Sequence, residues 1–88
     1  MSMNVRITNL LAPLSPIALD VIDESEGHRG HGGWQEGGET HVRVIVRSAR
    51  FDGMTRVERH RLVNSLMAPE FARGLHALAI VARDSKNT

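Results

Sequence analysis

Two helix signals standing between two strand-like runs constrain this chain more than any other feature in it. Residues 41–47, HVRVIVR, alternate, with Val42, Val44 and Val46 on one side and Arg43 and Arg47 on the other. Residues 75–83, LHALAIVAR, are apolar in both parities, which predicts a strand buried on both faces. Between the two runs, Thr55 and Glu58 have the spacing of a capping box. In that motif the hydroxyl accepts an amide proton of the first turn, and the carboxylate reaches back to the cap's own amide. The helix it starts runs to about Met67, with Leu62, Val63, Leu66 and Met67 as its apolar stripe. Pro69 suits the first turn of a second short helix over 69–73, which Gly74 ends. Strands joined through helices need a crossover, so the last strand is expected parallel to the one at 41–47.

Upstream, residues 17–24 alternate as a half-buried strand, with Ile17, Leu19 and Val21 inward and Asp20, Ile22 and Glu24 outward. Paired antiparallel, this strand brings Asp20 or Glu24 across from the outward arginines. Residues 3–12 read as a short helix with Ile7, Leu10, Leu11 and Leu14 on one stripe. Ser2 or Asn4 is the candidate cap, and Pro13 stops the helix. Val5, Ile7, Thr8 and Asn9 are weak helix formers, so this helix must depend on tertiary contacts. Phe51-Asp52-Gly53 reads as a turn. The expected architecture is α+β, in the order α-β-β-α-α-β, with helices on one face of a three-stranded mixed sheet.

The chain's 88 residues suit one domain, placed at 1–84 with a polar tail at 85–88. A core this small must be compact, and 41% apolar residues suffice for it. With no cysteine, disulfides are excluded, and any metal site built from this chain alone must use His, Asp or Glu. No stretch reaches the ~20 apolar residues of a membrane helix, so a soluble, cytoplasmic protein is expected. Net charge is +1, but the signs are segregated. Residues 17–40 hold six acids and one arginine, whereas residues 43–61 hold six arginines and two acids. The basic stretch is either a solvated face paired with the acidic one or a patch for nucleic acid.

Residues 25–40, SEGHRGHGGWQEGGET, hold six of the eight glycines. Sixteen residues far exceed the usual two to five of a hairpin loop. The glycines relax the backbone, so 27–38 is expected to be the most mobile internal segment. It carries His28, His31 and Trp34, the last an exposed loop residue or an anchor for a partner. His76 opens the last strand, where a rigid element aims it while solvent or a ligand can still reach it. By itself such a histidine is either a half-buried structural residue or a ligand. His41 and His60 have no partner that the sequence names, and both read as structural.

The blocks V-I-D-E-S, G-G-E-T-H-V-R-V, R-F-D-G-M, R-H-R-L-V and G-L-H-A-L-A-I occur in this order. This pattern, running from about Ile17 to Arg83, resembles the BolA family. The resemblance implies the α-β-β-α-α-β sheet, similar to the type II KH arrangement. The G-x-x-G loop of true KH domains is absent, with Ala68-Pro69 in its place. It also implies a partner, because BolA-like proteins pair with monothiol glutaredoxins and share a [2Fe–2S] cluster. The glutaredoxin supplies a cysteine and a bound glutathione thiolate, and the BolA side supplies two ligands. Carried over, these are His76 and a hairpin-loop histidine, His28 in E-S-x-G-H or its competitor His31. Imidazole in place of thiolate makes such a cluster more labile and higher in potential. Without cysteine, the isolated chain is expected to hold no cluster.

Other readings stand beside this one. Some BolA-like proteins are described as transcriptional regulators of the stress response. The helices joined at Pro69 loosely resemble a helix-turn-helix, and Arg50, Arg56, Arg59, His60 and Arg61 could contact DNA phosphates. A plain zinc site from His28, His31 and His76 is a third reading. A weak homodimer stays open. No Ser/His/Asp set or paired carboxylates can be picked out, so an enzyme is not expected.

Overall fold

The structure, a computed structural model, describes residues 2–25 and 40–88. The elements run α1 (Met3–Leu10), a 3-10 turn (Ala12–Leu14), β1 (Ala18–Asp23), β2 (His41–Arg47), a second 3-10 turn (Ala49–Phe51), α2 (Arg56–Leu66), α3 (Ala68–Ala72) and β3 (Ala77–Arg83). This is the expected α+β order. The expected mobility of 27–38 and the placement of His28, His31 and Trp34 lie outside the described residues.

The alternation in β2 makes it the centre of the sheet. It pairs antiparallel with β1 and parallel with β3, so Val44 lies between Val21 and Ile80. Val42, Val44 and Val46 point at the helices and are buried with Ile7, Leu11, Phe51, Val63 and Met67. Each such side chain contributes about 1.5–3 kcal/mol on burial. Glu24 meets Arg43 at 3.0 Å, the cross-strand pair expected from the segregated charges. Both partners are more than a third exposed, so solvent screens the pair.

The local signals work as read. Thr55 Oγ1 accepts from Glu58 N at 3.1 Å, and Glu58 Oε1 accepts from Thr55 N at 2.7 Å. Those bonds hold the Glu58 carboxyl below its usual range. Gly74 ends α3 with φ +120°, a conformation that side chains with a Cβ avoid. Ser2, rather than Asn4, caps α1 by accepting from Val5 N at 3.2 Å. The weak α1 gains the tertiary support it needs. Ile7 and Leu11 are buried, and Arg6 grips the buried Glu70 of α3 through two bonds, at 3.0 and 3.1 Å.

Two expectations fail. β3 is not buried on both faces. It is an edge strand whose ends are exposed and whose middle is half-buried. Among the described residues, helices lie only over the face of Leu78, Ile80 and Ala82. On the other parity no helix lies over Ala77, Ala79 and Val81; Ala77 is exposed, and Ala79 and Val81 stay half-buried. Ile17 does not join the inward face of β1 either. It precedes the strand, is 55% exposed, and contributes only its amide, to the Arg47 carbonyl at 2.8 Å.

Candidate functional site

β1 and β2 part at Ser25 and Thr40, the two ends of the hairpin connection. Ser25 is buried, and its hydroxyl is spent on closing this gap. It accepts from Thr40 N at 3.0 Å and from His41 N at 3.1 Å, and the Thr40 hydroxyl lies 3.3 Å away. Asp23 Oδ1 accepts from Ser25 N at 2.9 Å, which turns the chain out of β1. Buried amides need acceptors, so one serine satisfies two at once.

The same segment holds the start of β3. The Thr40 carbonyl accepts from His76 N at 2.8 Å and from Ala77 N at 3.0 Å. His76 is therefore clamped through its backbone while its side chain stays exposed. The His41 ring lies next to it, with centroids 5.4 Å apart and planes tilted by 52°. His41 is only 6% exposed, and its Nδ1 is 3.1 Å from the Thr40 hydroxyl. The sequence names no partner for His41, but in the structure its ring meets at least the Thr40 hydroxyl and the His76 ring. The signal was present in the Thr40-His41 dipeptide, because a hydroxyl beside a histidine at a strand start can bond its ring. A depression of about 270 Å³, lined by Glu24, His41, Arg43, Ala77 and Ala79, opens beside this corner.

Chemically, the corner offers one solvent-facing imidazole on a rigid support and a second one held behind it. Imidazole is a ligand for iron, zinc or copper. His76 fits one ligand position, and with no cysteine the chain has no thiolate to add.

The arginine candidates do not form one patch. Arg56 and His60 face a groove along β3. Arg50 lies elsewhere, beside Pro13, Leu14, Leu62 and Leu66. Arg56 and Arg61 are exposed. Arg59 is turned inward. It donates to the Met54 carbonyl at 3.1 Å, to the Ala82 carbonyl at 3.2 Å and to the Thr88 carbonyl, and lies 3.5 Å from Asp84. The polar C-terminal residues are thereby hooked onto the domain. Asp52 accepts from the Ser85 amide and hydroxyl, and Asp84 from the Thr88 amide and hydroxyl. Those backbone bonds, reinforced by the hydroxyls, hold both carboxyls below their usual range.

The family model described as BolA-like protein matches residues 10–87. The chain belongs to the BolA family. BolA-like protein 1 of Homo sapiens is 46% identical over 76 residues, covering 86% of this chain and 53% of that protein. The chain thus spans about half the length of that curated relative. The DNA-binding transcriptional regulator BolA of Vibrio cholerae is 48% identical over 65 residues, covering 74% of this chain and 58% of that one. The solved structure of BolA1 from Arabidopsis thaliana superposes with a TM-score of 0.85 at 35% identity, covering 100% of this chain and 98% of that one. The three-stranded mixed sheet with its helices is thus the BolA fold. Among the described residues, no helix is long and apolar enough to cross a membrane.

Proposed function

We propose that this BolA-like chain is an adaptor that binds a monothiol glutaredoxin and supplies His76 to a shared [2Fe–2S] cluster, in cluster trafficking or iron regulation. The observation that carries the reading is His76 itself, exposed in its side chain and fixed in its backbone by the Thr40 carbonyl. Its aim is set by the sheet, so a partner's cluster can meet it without ordering a flexible segment first. His28 or His31 would supply the second ligand of this chain. The glutaredoxin cysteine and glutathione would supply the thiolates that a cysteine-free chain lacks. Bound so, the cluster would be more labile than an all-thiolate one, which suits transfer.

The test is co-expression with a monothiol glutaredoxin, followed by visible absorption and circular dichroism of the complex. The wild-type pair should give a stable coloured heterodimer, and the isolated chain should take up no cluster on anaerobic reconstitution. His76→Ala should abolish the shared-cluster spectrum while the free protein still melts cooperatively. His28→Ala should change the spectrum with partial rescue through His31, and the double loop variant should match His76→Ala. A folded His76→Ala protein with a wild-type cluster would overturn the assignment.

A DNA-binding regulator is the second reading, favoured by the exposed Arg50, Arg56 and Arg61 and by the relative from Vibrio cholerae. Arg59 is held by backbone carbonyls, which weakens it. DNA affinity resting on the remaining cations would be weak and steeply salt-dependent. Nanomolar, sequence-selective binding at physiological salt would put this reading first.

A further inference from the structure

Among the described residues, β3 ends the sheet, with no strand beyond it. Ladder bonds decide which of its peptide groups face the open side. Ala77 N donates to the Thr40 carbonyl, and the Arg83 carbonyl accepts from Ser48 N. The odd-numbered residues therefore face β2, and the alternation of a parallel ladder turns Leu78, Ile80 and Ala82 outward. Arg59 agrees with this parity, since it reaches the Ala82 carbonyl from the open side at 3.2 Å. Its guanidinium N–H sits where the amide of a neighbouring strand would sit. The outward peptide groups of Leu78 and Ile80 have no such partner among the described residues.

Sheet edges are usually blunted by charge, proline or a bulge. β1, the opposite edge, carries Asp20 and Asp23, whereas the only charge on β3 is Arg83 at its end. A groove of about 490 Å³ follows this edge along residues 80–83, walled by Arg56, Arg59 and His60 of α2 and by Thr88, whose carbonyl Arg59 holds. Arg59 is matched by Asp84, but Arg56 and Arg83 are exposed and make no ion pair among the described residues. The groove thus offers free main-chain donors and acceptors under a positive wall.

We propose that the open edge of β3 binds an extended acidic segment of a partner protein by strand addition. Alternate side chains of the added strand would be acidic and meet Arg56 and His60. The others would be β-branched and extend the uncovered face beside Ala79 and Val81. A peptide fits better than a nucleic acid strand because it carries donors as well as acceptors. A phosphate backbone offers acceptors only and would leave the Leu78 and Ile80 carbonyls without a partner. The inference is independent of any metal at His76.

The probe is a capped hexapeptide of alternating glutamate and valine, titrated into the labelled protein and followed by amide NMR. The expected result is slowed amide exchange at Leu78 and Ile80 and shifts along residues 78–83. A peptide N-methylated at alternate residues should bind several-fold more weakly, because it cannot complete the ladder. R56E should weaken the unmodified peptide several-fold without changing the thermal melt, since Arg56 is exposed. Equal binding of the N-methylated peptide, or protection elsewhere, would overturn the proposal. So would a groove that answers to oligothymidylate and not to the peptide.

Discussion

The two ends of β3 are built from similar polar residues and put them to opposite uses. At the first end, hydroxyls and carbonyls hold a backbone so that one side chain, His76, is left outside. At the other end, the charged groups of Arg59, Asp52 and Asp84 are spent on carbonyls and amides of Met54, β3 and residues 84–88. Charge density alone would rank the arginine end as the functional one. What separates the two is whether hydrogen-bond capacity is left over. Arg59 points its donors at the carbonyls of Met54, Ala82 and Thr88, while the clamp on His76 touches only its amide.

The largest effect should come from breaking the consumed end. Arg59→Ala removes donors from the Met54 and Ala82 carbonyls and leaves Asp84 without its cation. We expect a loss of about 2–3 kcal/mol in urea denaturation. A loss within 0.5 kcal/mol of zero, the ordinary range for surface sites, would make Arg59 a surface cation after all.

Ser25→Ala should come next. It leaves the Thr40 and His41 amides without their acceptor in a buried corner, at about 1–2 kcal/mol. Hydrogen exchange should quicken at Thr40, His41 and His76 together, because the Thr40 carbonyl clamps the last of these. Faster exchange at Thr40 alone would show that the corner is not one unit.

His76→Ala should change stability by no more than about 0.5 kcal/mol, as at other exposed positions. On the function proposed above, its effect should fall on the shared cluster's spectrum. A large fall in the melting temperature would instead give His76 a structural role and blur the contrast between the two ends.

The smallest effect is on pH. Asp52 and Asp84 are held below their ordinary value of 3.8, so the fold favours their charged forms. The stability they add is complete above 3.8 and is lost as pH falls below it, through their folded values. The Ser85 and Thr88 amide signals should therefore titrate with midpoints under 3.8. Midpoints at or above it would mean that the hook is not formed in solution.

How far these ends could be read beforehand depends on the range of the interactions. The capping box at Thr55 and Glu58, the stop at Gly74 and the alternation of β2 act within a few residues, and the sequence states them outright. The Glu24–Arg43 pair was open to inference because antiparallel pairing of two alternating runs leaves few registers. His76 stands out in the sequence as a polar residue at the mouth of an apolar run. For His41, the neighbouring Thr40 hydroxyl is legible as a ring partner, but the contact with the His76 ring is not, since His76 lies far away along the chain. Nothing local distinguishes Arg59 from Arg56 or Arg61 either. Only the position of α2 against β3 decides which arginine turns inward.

By itself, then, the sequence determined the order of elements, the parallel crossover, the inward parity of β2 and the absence of thiolate ligands. Each follows from backbone stereochemistry, periodicity or composition, which are properties of short stretches. Tertiary structure alone decided that, among the described residues, β3 lies at an edge, with one face free of helices and the outward peptide groups of Leu78 and Ile80 open. An apolar run such as residues 75–83 satisfies either a central or an edge strand. β2 takes the centre because its pairing with both neighbours puts Val42, Val44 and Val46 fully under the helices, whereas Leu78 and Ile80 of β3 are only half-buried.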